Sequence, residues 1–226
     1  MRNLVIFSGA GMSAESGLNT FRDNGGLWEN HRVEDVATPA AWRKDPEQVL
    51  RFYNQRRKQL REAAPNKAHL AIADLEKNYD VTVITQNVDD LHEQAGSTDV
   101  LHLHGELKKA QSSLDPKLVY PIKGDELNIG DKCEKGSQLR PNVVWFGEAV
   151  PKMEKAYSIV SAADVFVVVG TSLNVYPAAG LIHAVPVGAK KYIIDPQAAT
   201  IAEELGFTIM KATAVEGIKI LIDNYL

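Results

Sequence analysis

His104 stands directly after the apolar run 100–103 and directly before Gly105. The run predicts a buried strand, so the histidine falls at the carboxyl end of that strand. Imidazole has an unperturbed pKa near neutrality, which suits a general base that accepts a proton from a hydroxyl group. From the residue alone, a packed or surface histidine is the commoner outcome, and His92 and His102 keep that interpretation.

A glycine-rich turn follows the first apolar run, 4–7, which is short enough for a buried strand. Gly9 and Gly11 have no Cβ, so the backbone can turn sharply and approach a ligand, and Ala14 completes a G-x-G-x-x-A spacing at the start of a predicted helix. The N–H groups at a helix start attract anions, and a pyrophosphate is a suitable ligand. On its own, the spacing is equally compatible with an ordinary turn between a core strand and a helix.

Two further polar clusters follow predicted strands, at 86–89 after the run 81–84 and at 170–172 after the run 165–169. Parallel strands bring their carboxyl ends to one edge of a sheet, where open α/β sheets bind their ligands. We therefore expect these clusters, the glycine turn and His104 to form one site.

The elements that must position this site alternate along the chain. Apolar runs predict strands at 4–7, 81–84, 100–103, 143–146, 165–169 and 191–194, and helical patterns cover 46–62, 66–78, 151–163, 176–184 and 213–224, with a shorter helix from Ala40. This order predicts an α/β protein with a Rossmann-like, doubly wound parallel sheet. We expect a large domain from 1–28, 66–104 and 141–226, and a smaller module from the insertions 29–65 and 105–140.

Composition excludes several classes of protein. The 226 residues are 45% hydrophobic and 24% charged, as in ordinary soluble proteins. The net charge of −4 gives no reason to expect nucleic-acid or membrane binding. Cys133 is the single cysteine, so an internal disulfide and a cysteine-only zinc site are both excluded. Without a signal-like leader or an apolar run of about 20 residues, we expect a cytoplasmic protein.

The glycine turn continues into a polar loop at 20–28 instead of the second strand of a dinucleotide dehydrogenase. The stretch GAGMSAESGLNTFR at 9–22 closely resembles the sirtuins, the NAD-dependent protein deacylases. The segments TQNVDDLH, HG, RPNVVWFGE and GTSL also resemble motifs of this family, in the family's order and over nearly the whole chain.

The resemblance implies a set of NAD contacts around the nicotinamide, the ribose, the phosphates and the adenosine. Asp195 stands where the family commonly has asparagine, so the sequence departs from the pattern there. The implied contacts are Gly9, Ala10, Gly11, Phe21, Arg22, Trp28, Gln86, Asn87, Val88, Asp89, Gly170, Thr171, Ser172, Asp195, Pro196, Gln197 and Ala212.

The resemblance also implies the reaction, with His104 and Asn87 as catalytic residues. The acyl oxygen of a modified lysine attacks C1′ as nicotinamide leaves, His104 then activates the ribose, and water releases free lysine and an O-acyl-ADP-ribose. The partners are therefore acyl-lysine proteins, whose extended backbone would pair with the segment 143–146 by strand addition. The implied substrate contacts there are Val144, Trp145, Phe146 and Gly147.

Tyr53 and Arg56 stand three apart on a predicted helix and share a face. Spacing alone favours a core tyrosine beside a solvated arginine. In one subclass of sirtuins, a Tyr-x-x-Arg pair lines the acyl pocket, and a guanidinium with a phenol suits an acyl group that ends in a carboxylate. The resemblance therefore implies succinyl and malonyl groups as substrates, besides acetyl.

The inserted module departs from the family, which usually holds a structural zinc on paired cysteines there. Ser112 and Ser113 lie near the first expected pair, and only Cys133 lies near the second. One thiolate without a nearby histidine cannot complete four ligands, so we predict no zinc. We expect packing to hold the module around Leu114, Leu118, Val119, Tyr120 and Leu127.

Two other functions stay open from the sequence. An ADP-ribosyltransferase would cleave the same cofactor toward another acceptor, and the Tyr53/Arg56 pair argues against it. A sensor of NAD or ADP-ribose without turnover is compatible with the altered module, whereas Asn87, Asp89 and His104 argue against it.

Overall fold

The computed structural model describes residues 1–18, 27–28, 31–198 and 201–226, with the side chains of 27–28 and 201–202 left out of the description. The described strands are β1 Arg2–Ser8, β2 Leu27–Trp28, β3 His31–Arg32, β4 Tyr79–Thr85, β5 Val100–His102, β6 Gly105–Ser112, β7 Val119–Pro121, β8 Leu139–Val143, β9 Val165–Val169, β10 Lys190–Ile194 and β11 Thr208–Met210. The described α-helices are α1 Gly11–Ala14, α2 Val33–Val36, α3 Pro39–Lys44, α4 Pro46–Glu62, α5 Lys67–Asp74, α6 Leu91–Ala95, α7 Met153–Ser161, α8 Ile201–Glu204 and α9 Ala214–Asn224.

Six parallel strands form the main sheet in the order β11-β10-β9-β1-β4-β5. Alternate side chains of β1 pack in two different hydrophobic cores, one on each face of the sheet: Phe7 lies on one face and Ile6 on the other. Both faces are therefore covered, which explains why residues 4–7 of β1 and all of β9 are continuous apolar runs. The predicted α/β fold with a parallel sheet is confirmed.

A second sheet of three antiparallel strands, β7-β6-β8, belongs to the smaller module. It packs against α4 through a small cluster of Leu50, Ala110 and Leu127. Leu127 is buried as predicted, whereas Leu114 and Val119 are exposed. The expectation that these last two form the module's core is wrong, since pairing of β6 with both neighbours holds the strands together.

The strand predicted at 143–146 is also wrong, because β8 ends at Val143. Beyond it the backbone leaves the sheet: the Val144 N–H donates to the His104 carbonyl and the Phe146 N–H donates to the Ala37 carbonyl. This irregular course carries Trp145 into the interior, where its side chain is 2% exposed.

Other elements also differ from the sequence prediction in type or extent. The helix predicted at 176–184 is a 3-10 helix, Ala178–Ala184, and the helix predicted at 66–78 becomes 3-10 at Leu75–Lys77 after α5. Strand β11 was not predicted, because its three residues carry too short a pattern. Among the described residues, no helix is both long and apolar enough to cross a membrane.

Candidate functional site

A cleft of about 870 Å³ opens at the carboxyl ends of β1, β4 and β9, and it extends to α4 and to the segment after β8. The predicted clusters converge here, as parallel winding requires. The predicted residues that line it are Gly9, Ala10, Gly11, Tyr53, Arg56, Gln86, Asn87, Val88, Asp89, His104, Val144, Trp145, Phe146, Gly147, Gly170, Thr171, Ser172, Asp195, Pro196 and Gln197.

Glycines let two turns of the cleft pack directly on each other. A Cβ on Gly11 would lie 2.8 Å from Gly170 Cα, and one on Gly9 would lie 2.7 Å from Thr171 Cβ. Gly170 has a φ of +64° and its Cβ would lie 2.2 Å from the Met12 nitrogen. These glycines are therefore required for the close approach of the β1 and β9 turns, which shapes the floor of the cleft.

His104 is partly buried, lies between β5 and β6 and lines the cleft. Its Nδ1 lies 3.1 Å from the Gln86 carbonyl, which can only accept, so Nδ1 carries the proton. Burial lowers the pKa of His104, and the bond to Gln86 offsets this only in part. The side chain is therefore a neutral imidazole at neutral pH, with a lone pair on Nε2 that can accept a proton.

Asn87 and Asp89 are joined through a side chain of the glycine turn. Asn87 Nδ2 donates to Ser13 Oγ at 3.1 Å, and Ser13 Oγ donates to Asp89 Oδ2 at 3.0 Å. Burial raises the pKa of Asp89, while the bonds from Leu91 and Ser13 lower it. Ser13 was missed by the sequence analysis, although a hydroxyl two residues after Gly11 was a usable signal.

The side of the cleft formed by α4 carries Tyr53 and Arg56, both buried. The Tyr53 hydroxyl accepts a hydrogen bond of 3.0 Å from Trp145 Nε1, and burial raises the pKa of this phenol. A phenol that accepts from the indole keeps its own proton as a donor. A neutral phenol and a guanidinium therefore face the same space.

Trp145 is itself held by charged neighbours. The Arg140 guanidinium lies 3.4 Å from the centroid of the Trp145 ring and forms two bonds to Glu148, of 2.7 and 3.0 Å. Glu148 Oε2 also accepts from the Trp145 backbone N–H at 2.8 Å. The position of the indole, and through it the Tyr53 hydroxyl, is thus fixed from two sides.

Some predicted residues are not placed in the cleft. Ala212 is buried but does not line it, whereas its neighbours Thr213 and Ala214 do. Phe21 and Arg22 lie outside the described residues, and Trp28 is described by its backbone alone.

The arrangement suits a dinucleotide better than a metal. Side-chain amides and hydroxyls of the lining residues are typical partners of ribose and phosphate oxygens, and the volume is in the range of small-molecule sites. Across 1–18, 31–198 and the side chains described after 202, no cluster of three His, Cys, Asp or Glu could hold a metal ion. The absence of zinc stays a prediction.

A doubly wound sheet with polar strand ends around one deep cleft defines an α/β protein of the nucleotide-binding class. The Sir2 family pattern matches residues 9–177 of the chain. A curated relative from Bacteroides thetaiotaomicron, named NAD-dependent protein deacylase, is 55% identical over 224 residues, covering 97% of this chain and 96% of the relative. A Helicobacter pylori protein of the same name is 59% identical over 198 residues, covering 88% and 86%. The chain therefore belongs to the Sir2 family, and the prediction of an NAD-dependent enzyme of this family is confirmed.

Solved structures agree with this assignment. A Sir2 homologue in complex with NAD has a TM-score of 0.87 and 41% identity, covering 98% of this chain and 88% of its own. A mutant Sir2 homologue in complex with ADP-ribose has a TM-score of 0.89 and 40% identity, covering 98% and 90%. A third, with a deacetylated peptide and 3′-O-acetyl ADP-ribose, has a TM-score of 0.82 and 29% identity, covering 99% and 94%.

Proposed function

We propose that the protein is an NAD-dependent protein-lysine deacylase that prefers acyl groups ending in a carboxylate, such as succinyl and malonyl, and also accepts acetyl. One observation carries the proposal: His104, the Asn87–Ser13–Asp89 chain and the Tyr53/Arg56 pair line a single cleft. The acyl group and the reacting end of NAD would meet in that cleft.

The residues that would hold NAD are the glycine turn at 9–11, the cluster at 86–89, the turn at 170–172, and the segment 195–197. The packed glycines support this assignment because side chains at these positions would fill the space between the turns. When bound, NAD supplies an electrophilic C1′ that accepts the acyl oxygen as nicotinamide leaves. The products would be free lysine, nicotinamide and an O-acyl-ADP-ribose.

His104 would act as the general base that accepts a proton from a ribose hydroxyl. The Gln86 carbonyl supports this role, because it fixes the Nδ1–H tautomer and leaves Nε2 as the acceptor. Asn87 would orient the reacting groups, and its amide is held by Ser13. Asn87 is buried and His104 is partly buried, which limits competing contacts with water.

Tyr53 and Arg56 would recognise the terminal carboxylate of the acyl group. A guanidinium binds a carboxylate bidentately, and the Tyr53 O–H adds a second kind of donor. The burial of both residues supports the proposal, since a charge pair excluded from water is strong and an acetyl group cannot form it.

The protein substrate would bind along the segment 144–147. The N–H groups of Val144, Trp145 and Phe146 already donate within the protein, so these three residues would pair with the substrate through their carbonyl groups. Phe146 is 48% exposed and offers an apolar contact at the rim of the cleft.

The test is the rate of nicotinamide release with NAD and three otherwise identical peptides, bearing succinyl-lysine, acetyl-lysine or unmodified lysine. We expect the succinyl peptide to give the highest kcat/KM and the unmodified peptide to give no release. Release with a labelled protein acceptor and no acyl-lysine would indicate a transferase, and no release with any peptide would indicate a sensor.

The acyl preference is tested separately with the Tyr53→Phe/Arg56→Met double variant. We expect kcat/KM for the succinyl peptide to fall about a hundredfold, while that for the acetyl peptide changes about threefold or less. The exposed Arg51 on the same helix forms a surface ion pair with Glu47, so Arg51→Met is the matched control. An equal loss for both peptides in the double variant would refute the pocket and leave the deacylase assignment standing.

A further inference from the structure

His102, at the end of β5, lies beneath the turn that carries Asn87 and is only 4% exposed. Its Nδ1 lies 3.0 Å from the Asn87 carbonyl oxygen, and its Nε2 lies 2.7 Å from Glu93 Oε1 on α6. The Asn87 N–H is held as well, by a bond of 3.0 Å to Thr85 Oγ1. The backbone of Asn87 is therefore fixed on both sides, once by a threonine and once by this histidine.

The protonation state of His102 follows from its two hydrogen-bond partners. A carbonyl oxygen has no proton to donate, and the hydrogen bond from His102 keeps the Glu93 carboxyl ionised by lowering its pKa against the effect of burial. Both partners of the ring are thus acceptors, so both ring nitrogens must donate, and only the imidazolium can do so.

We propose that His102, kept as an imidazolium by Glu93, is a positioning residue that fixes the Asn87 carbonyl and so orients the Asn87–Asp89 turn at the base of the cleft. The proposal deepens the proposed function, on which it rests for the role of Asn87 in the reaction. His102 lines no part of the cleft itself, so it acts through Asn87.

The charges around His102 agree with this state. Burial lowers the pKa of His102, but the hydrogen bond and charge of Glu93, the Asn87 carbonyl and Glu106 on β6 outweigh it, so the pKa is raised. His92 on α6 is buried, and its pKa lies well below the ordinary value, so it adds no positive charge at neutral pH. Asp89, at the turn above, also interacts favourably with the imidazolium.

Loss of the proton has a definite structural consequence. A neutral ring has one N–H, and a carboxylate is a stronger acceptor than a carbonyl, so the proton stays on Nε2 toward Glu93. The Nδ1 lone pair then faces the Asn87 oxygen, and the bond becomes a repulsion. Activity should therefore decrease as the pH rises through the raised pKa of His102.

Three substitutions test separately the hydrogen bond of His102 to Asn87 and its hydrogen bond to Glu93. Asparagine places its Nδ2 near the position of Nδ1, so His102→Asn keeps a donor for Asn87 without a titrating group. Glutamine reaches toward Glu93 instead, so His102→Gln loses the bond to Asn87. Glu93→Gln can donate to Nε2, which leaves a neutral ring with its proton on Nδ1 for Asn87. The exposed His183 and Glu154 provide the matched controls His183→Gln and Glu154→Gln.

Steady-state kinetics over about pH 6.5 to 9.5 form the first readout. We expect His102→Gln to lower kcat about tenfold or more at every pH, with KM for the acyl peptide within about twofold, because displacement of Asn87 affects the chemical step. His102→Asn and Glu93→Gln should keep kcat within about threefold at neutral pH and lose the decrease at alkaline pH that the wild type and controls retain. An activity ratio of wild type to Glu93→Gln that is constant with pH would overturn the proposal, as would unchanged kinetics in His102→Gln.

The second readout needs no turnover, so it is independent of the proposed function. Nitrogen NMR of the folded wild type should show both nitrogens of His102 protonated at neutral pH. The backbone amide of Val88, which shares the peptide group of the Asn87 carbonyl, should shift with the same pKa, and this shift should be absent in Glu93→Gln. A singly protonated His102 at neutral pH would refute the inference even if the protein deacylates peptides. The expected spectra without any deacylation would refute the proposed function alone.

Discussion

At the scale of single residues, three histidines close in the sequence do not share one proton state, because each has different partners. His104 donates from Nδ1 to a carbonyl and is neutral, whereas His102 lies between a carbonyl and a carboxylate and is charged. His92 lies 3.1 Å from Ser8 Oγ, and burial, followed by the neighbouring histidines, lowers its pKa. The residue type alone therefore does not identify the general base; the partner of each nitrogen does.

For His104, we expect deacylation to require the neutral ring. Because burial lowers its pKa, activity should rise with pH through a midpoint below the ordinary histidine value and reach its plateau in the mildly acidic range. The measurement is the pH profile of kcat/KM with the succinyl peptide. A midpoint above the ordinary value would contradict the assignment of His104 as a neutral base.

His104→Ala removes the acceptor at the reacting end of the cleft. We expect kcat to fall about a thousandfold, in the range of general-base contributions, with the melting temperature within a few degrees of the wild type. His183→Ala, at an exposed position, should change neither quantity. Turnover retained by a folded His104→Ala variant would remove His104 from the mechanism.

Trp145→Phe tests the orientation of the Tyr53 phenol. The substitution keeps an aromatic ring beneath Arg140 but removes the Nε1–H that holds the Tyr53 oxygen at 3.0 Å. We expect kcat/KM for the succinyl peptide to fall about tenfold and that for the acetyl peptide about twofold, since only the former needs an oriented phenol. A matched control is Trp145→Phe in a Tyr53→Phe background, where the further substitution should have little effect on acyl preference.

At the scale of elements, two successive residues of α4 face different parts of the protein: one lines the cleft and the next binds the smaller module. Arg56 lines the cleft, whereas Arg57 is 3% exposed and turns toward the module. Arg57 Nε donates to the Asp125 carbonyl at 2.8 Å and Nη1 donates to the Leu107 carbonyl at 3.2 Å. The guanidinium thus connects α4 to two separate parts of the module, which positions the helix that carries the acyl pocket.

Arg57→Leu should remove the hydrogen bonds that join α4 to the smaller module. The carbonyls of Asp125 and Leu107 would lose their donor in a buried place, so we expect the free energy of unfolding to fall by about 2–4 kcal/mol. Lys58→Met is the control, because Lys58 forms an exposed ion pair with Glu126 and should cost less than about 1 kcal/mol. The measurement is urea unfolding at neutral pH, and equal losses in the two variants would contradict the structural role of Arg57.

Sequence patterns predicted the elements that are governed by local chemistry. Residues 4–7 of β1 and all of β9 are continuous apolar runs because both faces of the sheet are covered, and Asn66 caps α5 by accepting from the N–H groups of Ala68 and His69. The segment 143–146 was predicted as strand because its residues are apolar, but β8 ends at Val143, and beyond it Trp145 packs inside while Phe146 is exposed. Arg57 could not be assigned a role, since its partner Leu107 is 50 positions away in the chain. Long-range pairing of this kind leaves no local pattern.

At the scale of the whole molecule, a pair of buried histidines lies between two helices, and one of the two, His92, also contacts Ser8 of the central strand β1. His69 on α5 and His92 on α6 have ring centroids 4.8 Å apart, and both are almost fully buried. Burial lowers the pKa of His69 to about 4, and burial followed by the neighbouring histidines lowers that of His92 well below its ordinary value. The folded protein therefore keeps both rings neutral where the unfolded chain would already bind protons.

This difference predicts a loss of stability in mild acid. Since the unfolded chain binds more protons, the free energy of unfolding should decrease as the pH falls below about 6.5, by about 2 kcal/mol for His69 between neutrality and pH 5, and His92 should add to this loss. His102 has a raised pKa and acts in the opposite direction, so it offsets part of the loss. Urea unfolding at about pH 7.5 and pH 5 measures the difference. His69→Gln should reduce the pH dependence by about 2 kcal/mol, because one neutral ring is removed, whereas His183→Gln should leave it unchanged. The same pH dependence in His69→Gln and in the wild type would show that the buried His69 ring gains protons in the folded state.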